Sequence, residues 1–179
     1  MRREIANAEV GRTGNLLGAA ALAIADAVSG AISIPDGRSE AARAALAVML
    51  QWPPRSIGHL ARVLGRSHSA TVRLIEELED QGLVAKNHGD DRRAVIVKLT
   101  AQGRREAQRI VAARGGILDG MVARLKSAER RELTRLLEKI LPMLTPDRES
   151  CDHICRLCEL AACPQDRCPV ELAVPRNAA

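Results

Sequence analysis

The sequence predicts a mainly α-helical fold that carries one small β-hairpin, and three observations lead to this prediction. The 179 residues include one tryptophan but no phenylalanine or tyrosine, so alanine, leucine, isoleucine and valine must form the core. These side chains suit close helix packing better than a β-sandwich, in which aromatic and β-branched pairs usually dominate. Apolar residues recur at helical spacing in several segments, whereas only residues 82–84 and 94–99 are short β-rich runs.

The first predicted helix covers residues 4–30 and is apolar on most faces, so we expect it to be buried against other helices or a second subunit. Its apolar run 16–25 follows several arginines and has the look of a secretory signal. However, Asp26 interrupts the run, and alanine-rich stretches form helices well but membrane spans poorly. We therefore expect a cytoplasmic protein without a membrane segment.

A shorter alanine-rich helix is expected to run from Ser39 to about Leu50. The preceding sequence, residues 34–37, reads Ile-Pro-Asp-Gly and is typical of a turn. Ser39 is a suitable N-cap because its hydroxyl can accept a backbone N–H of the first turn. The Pro-Pro pair at 53–54 ends the helix, since proline lacks the N–H that a helix needs.

Residues 55–84 predict two short helices joined by a tight turn. The first has apolar residues at i, i+3, i+4 and i+7 and ends at Gly65, a natural left-handed C-cap. Ser67 then caps a second helix, whose apolar stripe includes Val72, Ile75 and Leu78. This arrangement is a helix-turn-helix, although helical hairpins also occur in many other folds. The N-terminal end of its second helix offers hydroxyl, imidazole and guanidinium groups suited to base edges and phosphates, namely those of Ser67, His68, Ser69, Thr71 and Arg73.

A polar, basic loop at residues 86–93 separates the two β-rich runs, which predicts a hairpin with a long tip. A helix-turn-helix followed by a hairpin is a winged helix. The tip offers cationic or titratable groups to a phosphate backbone or a minor groove, namely Lys86, His88, Arg92 and Arg93. The formal net charge of +5 is compatible with a nucleic-acid partner, but many soluble proteins carry as much.

Several short motifs stand in a fixed order between residues 56 and 104. The wing contains Asp91-x-Arg93, which is followed by Leu99-Thr100 and then by Gly103-Arg104. Together with Leu60-Ala61 and the Leu-x-x-x-Gly-Leu-Val of residues 78–84, these motifs make the stretch similar to the winged-helix core of the MarR (multiple antibiotic resistance regulator) family. One extra residue precedes the Leu-Thr pair here.

The resemblance implies a homodimer that binds double-stranded DNA at a palindromic operator and usually represses nearby genes. It assigns the orienting carboxylate of the wing to Asp91 and the groove or phosphate contact to Arg93. A carboxylate beside a guanidinium also makes physical sense there, because it fixes a fork that would otherwise lose rotamer freedom on binding. Family members often bind aromatic or phenolic compounds, so a small-molecule effector is also implied, although no residue here identifies one.

Two more helices are predicted after the wing. Thr100 caps one that extends from about Ala101 to Lys126, with a weak point or kink at Gly115-Gly116. Ser127 begins the next, whose apolar stripe is Leu133, Leu136, Leu137, Ile140 and Leu141. The resemblance implies that the N- and C-terminal helices interlock across a two-fold axis; a monomeric helical bundle is the alternative. The predicted divisions are supporting and dimerisation helices at 1–54, the DNA-binding lobe at 55–100, dimerisation helices at 101–145 and a cysteine-rich tail at 146–179.

All five cysteines fall in the tail, at Cys151, Cys155, Cys158, Cys163 and Cys168. In a reducing cytoplasm such density indicates a metal site or thiol redox chemistry rather than a disulfide framework. The last four give C-x2-C-x4-C-x4-C, which has the loop lengths of a zinc knuckle with cysteine at the histidine position and would close a tetrahedral site. The first three give C-x3-C-x2-C, which iron–sulfur clusters also use. Zinc held by the last four is favoured, with an iron–sulfur cluster, metal-free thiols and simple packing as alternatives.

The predicted function is therefore a DNA-binding regulator, with the tail as a structural clip on the dimerisation end or as a sensor of metal or redox state. The alternative is a metal-tailed interaction protein or a thiol or iron–sulfur redox protein without specific DNA binding. Cys155-Arg-Leu-Cys158 is formally a C-x-x-C pair, but a dithiol oxidoreductase requires a βαβ setting that the sequence does not predict. We accordingly expect no enzyme.

Overall fold

The computed structural model describes residues 2–32, 38–52, 55–88 and 95–175. Its helices are α1 (Arg2–Ile32), α2 (Glu40–Gln51), α3 (Ile57–Val63), α4 (His68–Asp80), α5 (Ala101–Val122), α6 (Ser127–Ile140), α7 (Arg148–Ile154) and α8 (Pro169–Leu172). Its strands are β1 (Arg55–Ser56), β2 (Val84–His88) and β3 (Val95–Leu99), and short 3₁₀ turns cover Leu141–Leu144 and Cys155–Leu157. The mainly α architecture with a small β wing is as the sequence predicts.

Three predicted N-caps are confirmed by their hydrogen bonds. The Ser39 hydroxyl accepts the Ala42 N–H at 3.2 Å, and the Ser67 hydroxyl accepts the Ala70 N–H at 3.2 Å. The Thr100 hydroxyl accepts the N–H of Gly103 at 3.0 Å. Each bond satisfies a backbone donor that has no partner inside its own helix, which is worth about 1 kcal/mol.

The wing is part of a three-stranded antiparallel sheet with the strand order β1-β3-β2. Val84 pairs with Leu99 at the base of the hairpin, and His88 pairs with Val95 toward its tip. Strand β1 is an addition to the predicted hairpin, and it pairs Arg55 with Val97. The sheet thus ties the start of α3 to the wing.

The core lies among α2, α3, α4, α5 and the sheet, where Leu46, Leu60, Ile75, Leu83 and Ile110 are fully buried. Burial of each such side chain contributes roughly 1.5–3 kcal/mol. The residues come from four helices and the bend directly before β2, so their packing fixes α4 and the start of the wing relative to each other.

A close approach between α5 and the start of the wing requires glycine at position 103. A Cβ added to Gly103 would lie 1.8 Å from the carbonyl oxygen of Leu83, far inside van der Waals contact. The same carbonyl accepts the Thr100 N–H at 3.0 Å, and the Thr100 hydroxyl donates to the carbonyl oxygen of Gly82 at 2.7 Å. The residues that carry the family resemblance here therefore have a packing role that any L side chain at 103 would disturb.

The long helix after the wing ends earlier than predicted, and the Gly115-Gly116 pair does not interrupt it. Helix α5 runs without interruption through Gly115-Gly116 and ends at Val122, four residues before the predicted end at Lys126. Each glycine costs a helix about 1 kcal/mol. The packing of α5 against α1 and α2 outweighs that cost.

Apolar side chains are exposed on the first helix, α1, and on α6. On α1, Val10 and Leu22 are 73% and 71% exposed, and on α6 Leu136 and Leu137 are 41% and 42% exposed. By length and composition alone, the stretch Glu9–Ile32 is also apolar enough to cross a membrane. In its most apolar part, 6% of the stretch is buried inside the single chain. Two apolar faces without a cover in the single chain are what a second subunit would bury.

Candidate nucleic-acid interface and cysteine cavity

The N-terminal end of α4 presents its predicted contact residues to solvent. Ser67, His68, Ser69 and Arg73 are all exposed. The Ser67 and Ser69 hydroxyl oxygens lie 3.3 Å apart, so the two side chains form a small polar cluster at the tip of the helix. A helix N-terminus favours an anion through its free N–H groups and its dipole. The tip can therefore accommodate a phosphate or a base edge.

Thr71 does not belong to this exposed set, and the expectation that it contacts DNA is corrected. Its side chain is fully buried, and its hydroxyl donates to the carbonyl oxygen of Ser67 at 3.0 Å. Threonine in a helix commonly satisfies its hydroxyl in this way. Thr71 therefore packs under the tip of α4 while its neighbours face outward.

The predicted wing-tip residues Asp91, Arg92 and Arg93 lie outside the described residues, so their roles stay predictions. Lys86, at the base of the wing, is engaged with α4. Its ammonium Nζ lies 2.8 Å from Oε2 of Glu79, and its backbone N–H donates to Oε1 at 3.1 Å. These hydrogen bonds lower the pKa of the Glu79 carboxyl. Lys86 therefore ties the wing to α4 instead of standing free for a phosphate.

Sequence reasoning overlooked two cations beside the tip of α4. Arg66, directly before the N-cap Ser67, is exposed, as is Arg62 near the end of α3. A basic residue in the turn of a helix-turn-helix was a usable signal, because that turn faces the same side as the start of the second helix. Arg66 and Arg73 therefore place positive charge at the tip.

The cysteine-rich tail packs against the DNA-binding lobe. Helix α7 contacts α3, and the 3₁₀ turn Cys155–Leu157 contacts α2. Between the tail and the lobe lies a cavity of about 1180 Å³, whose wall includes all five cysteines and, from the lobe, Arg55, His59 and Arg62. The tail also packs on Leu141 at the end of the predicted dimerisation helices, so it contacts both that end and the helix-turn-helix.

Four of the cysteines interact as two neighbouring pairs. A side-chain interaction between the thiols of Cys155 and Cys158 lowers the pKa of Cys158 and raises that of Cys155. Cys163 interacts in the same way with Cys168. Burial is the main cause that raises the pKa of Cys163 to about 11, and the neighbouring Cys168 adds to the rise. The two pairs also lie close enough to affect each other: Cys168 raises the pKa of Cys155, and Cys158 raises the pKa of Cys163.

Cys151 has a different environment. It is buried, its sulfur accepts a guanidinium N–H of Arg148 at 3.4 Å, and its thiol donates to Glu171 at 3.5 Å. Burial is the main reason that its pKa rises to about 12. Arg148 also holds Glu171 with two bonds of 2.8 and 3.1 Å, which joins α7 to α8. Cys151 thus contacts both partners of the Arg148–Glu171 ion pair, which links α7 to α8 within the tail.

The thiols border one cavity, but their sulfur atoms do not converge on one position where a single ion could bind. Across the described parts of the chain, no three His, Cys, Asp or Glu side chains are grouped as the ligands of a single ion would be. The sulfurs are arranged as neighbouring pairs, so ligation of one ion would require side-chain rotations that bring the pairs together.

His153 connects the tail to the turn of the helix-turn-helix. Its Nδ1 lies 2.9 Å from the carbonyl oxygen of Val63, the last residue of α3. A carbonyl oxygen can only accept, so Nδ1 carries the proton in this contact. The ring also covers Gly65, where its Cε1 is 3.5 Å from the position of an added Cβ, and Gly65 has the left-handed φ of +61° expected of it. The tail therefore reaches the backbone directly before α4.

Comparison with known proteins finds matches over the same lobe. The family model described as "MarR family" matches residues 37–94. An uncharacterized HTH-type transcriptional regulator of Bacillus subtilis (strain 168), YwhA, is 31% identical over 75 residues. That match spans 41% of this chain and 54% of the length of YwhA.

Solved structures extend the likeness to most of the chain. The MarR family protein RV2887 of Mycobacterium tuberculosis is 31% identical, with a TM-score of 0.56 over 72% of this chain and 92% of its own. A MarR family protein from Bacillus stearothermophilus is 21% identical, with a TM-score of 0.67 over 76% and 96% of the two chains. The second likeness concerns the fold alone, whereas the first combines fold and sequence.

Proposed function

The chain belongs to the MarR family of transcription regulators, and from that premise we propose that it is a homodimeric, sequence-specific DNA-binding repressor. The observation that carries the proposal is the exposed tip of α4, where Ser67, His68, Ser69 and Arg73 face solvent beside Arg66. Hydroxyl, imidazole and guanidinium groups at a helix N-terminus are the groups that read base edges and hold phosphates. The work of such a protein would take place in the cytoplasm.

The proposed dimer follows from the exposed apolar faces of α1 and α6. Leucines that are about 40–70% exposed on two helices lose contact with water when a second copy covers them. A two-fold axis through that contact would carry two copies of α4, each able to enter a major groove one helical turn apart. A symmetric reader of this kind requires a palindromic operator.

The wing completes the proposed grip. Lys86 and Glu79 hold the base of the hairpin against α4, so the two elements would meet a duplex as one unit. We propose that Arg93, oriented by Asp91 and accompanied by Arg92, contacts the adjacent minor groove or phosphates. Repression would follow where an occupied operator blocks access to a promoter.

A small-molecule effector is also part of the proposal. A second structure of RV2887, 32% identical to this chain with a TM-score of 0.55, is a complex with p-aminosalicylic acid. By analogy we propose a small aromatic acid as the class of effector for this chain. Calorimetric titration of the dimer with aromatic acids, with and without duplex, would test that class.

One observation favours the alternative function, an interaction protein or thiol redox protein without specific DNA binding. This observation is that all five cysteines border one cavity. Fluorescence anisotropy with duplexes from the region upstream of the gene separates the two. A regulator prefers one sequence, and its affinity falls steeply with salt as phosphate contacts release counterions. Weak binding that is independent of sequence would favour the alternative.

Two variants make the test specific to α4. Arg73→Ala is expected to weaken operator binding by about 1–3 kcal/mol, which is roughly 5- to 150-fold. Arg124→Ala removes an equal charge from the exposed turn after α5 and should leave affinity nearly unchanged. Equal losses in both variants would mean that only net charge matters, and specific reading by α4 would be refuted.

A further inference from the structure

DNA binding by the lobe leaves the cysteine cavity unexplained. All five thiols of the chain border one space of about 1180 Å³, although they are spread over eighteen residues of the sequence. The segment between Cys155 and Cys168 contains little regular structure, and apart from Leu157, which packs on the main core, its apolar contacts involve the cysteines. Such a segment has too small a core to hold a fixed conformation by burial alone.

The arrangement of the thiols selects four of them. Cys155 and Cys158 stand at C-x2-C spacing, and they border the same cavity as Cys163 and Cys168. Cys151 lies beside them, but its thiol is engaged by Arg148 and Glu171, so we leave it out of the ligand set. Two facing pairs of cysteines are the usual ligand pattern of small thiolate metal sites.

We propose that a thiolate-ligated metal centre forms in this cavity and braces the tail against the helix-turn-helix; its ligands are Cys155, Cys158, Cys163 and Cys168. The bracing role rests on the proposed DNA-binding function, whereas the centre itself does not. Both a single zinc ion and an iron–sulfur cluster are ligated by thiolate sulfur, so either could be the metal centre. Each ligating thiol releases its proton to solvent, and zinc binding transfers no electron.

The two forms of the centre make different demands on the cavity. Zinc–sulfur bonds of about 2.3 Å in a tetrahedron place the four sulfurs within about 4 Å of one another, so the two pairs must close together. In a cluster, the cysteines bind different iron atoms and can remain farther apart. The volume of the cavity accommodates either form.

The charges on the lobe side of the cavity suit an anionic centre. Four thiolates with one Zn²⁺ carry a net charge of −2, as counted from the ligand charges. Arg55 of β1 and Arg62 near the end of α3 border the same cavity and would attract that charge. The attraction joins α3, which belongs to the helix-turn-helix, to a centre that the tail supplies.

His153 transmits the state of the centre to α4. It lies between Cys151 and Cys155, and its Nδ1–H reaches the Val63 carbonyl oxygen at 2.9 Å while its ring covers Gly65. In a small metal element the binding energy is largely folding energy, so loss of the metal should release the tail. Release removes the donor from Val63 and uncovers the turn that positions the tip of α4.

Metal content tests the centre independently of DNA. Protein purified without oxygen, from cells supplied with zinc and iron, is subjected to elemental analysis and visible absorption spectroscopy. We expect near-stoichiometric zinc without colour, or iron and sulfide with a broad visible band, and either result supports the centre. Trace metal only, in a folded protein, would overturn it.

Matched cysteine variants locate the ligands. Cys158→Ser should lose the metal, whereas Cys151→Ser, with the same change outside the proposed set, should keep it. Circular dichroism checks that the helical lobe remains folded in both variants. Full occupancy in a double Cys158→Ser, Cys163→Ser variant would overturn the assignment.

The brace is tested by operator affinity with and without metal. We expect chelation to weaken binding at least tenfold, and His153→Ala to keep its metal while its affinity becomes insensitive to chelation. Unchanged affinity of the wild type after full metal loss would overturn the brace. A metal-loaded protein that binds no duplex in either state would refute the proposed function and leave the metal centre intact, so the two failures are distinguishable.

Discussion

Gly103→Ala tests whether α5 is positioned by its contact with the start of the wing. The new Cβ would lie 1.8 Å from the carbonyl oxygen of Leu83, so one of the two backbones must move by about 1.5 Å to restore ordinary contact. That carbonyl already accepts the Thr100 N–H, and the Thr100 hydroxyl bonds to Gly82. The movement therefore breaks or lengthens two hydrogen bonds.

The expected cost is about 2–4 kcal/mol of unfolding free energy. Overpacking contributes roughly 1–3 kcal/mol and each lost bond about 1 kcal/mol, while the better helix propensity of alanine returns about 1 kcal/mol. Gly116→Ala in the same helix is the control, because nothing lies within 4 Å of its added Cβ. Urea denaturation followed by circular dichroism should show a lower midpoint for Gly103→Ala and an equal or higher one for Gly116→Ala. A Gly103→Ala protein as stable as the wild type would refute the account of this contact.

Three further outcomes are expected. Leu136→Glu and Leu137→Glu, on the exposed face of α6, should shift the protein toward monomer in analytical ultracentrifugation and weaken operator binding with it; a dimer of unchanged strength would place the interface elsewhere. Ser67→Ala should cost about 1 kcal/mol because the first turn of α4 loses its cap, and this can be measured by thermal unfolding; an unchanged melting temperature would count against the cap. Cys151, buried and with its pKa raised to about 12, should resist alkylation by iodoacetamide at neutral pH until urea unfolds the tail, as mass spectrometry would show; rapid labelling in the native protein would contradict its burial.

The helices could be predicted from the sequence because their signals are local. Ser39, Ser67 and Thr100 each precede an apolar-periodic segment, and each caps a helix in the structure. Gly65 ends α3 in the conformation that a glycine at that position favours. These features depend on neighbours within four residues, so the chain sequence alone contains them.

Features that depend on distant partners escaped prediction. Strand β1 has two residues and exists through its pairing with β3, some forty positions later. Thr71 reads as an exposed polar residue, yet the packing of α4 on α3 buries it. The contact of His153 with Val63 joins residues ninety positions apart. No periodicity or motif in the sequence indicates that the tail packs on the helix-turn-helix.

The candidate site was predictable to different degrees for similar reasons. The exposed tip of α4 follows from the cap and the helical period, so Ser67, His68, Ser69 and Arg73 could be assigned to it in advance. Which thiols adjoin one another depends on how an irregular tail folds back on the lobe, and spacing alone left several ligand sets open. The salt bridge between Lys86 and Glu79 required the register of the wing against α4.

Amide hydrogen exchange on the protein bound to its operator duplex tests the central claim, that the tip of α4 meets DNA, most directly. N–H groups in the first turn of a helix lack a carbonyl partner one turn earlier and exchange quickly in the free protein. We predict marked protection of residues 67–73 on binding, with α6 unaffected. Unchanged exchange over residues 67–73, in a complex shown to be fully formed, would contradict the account.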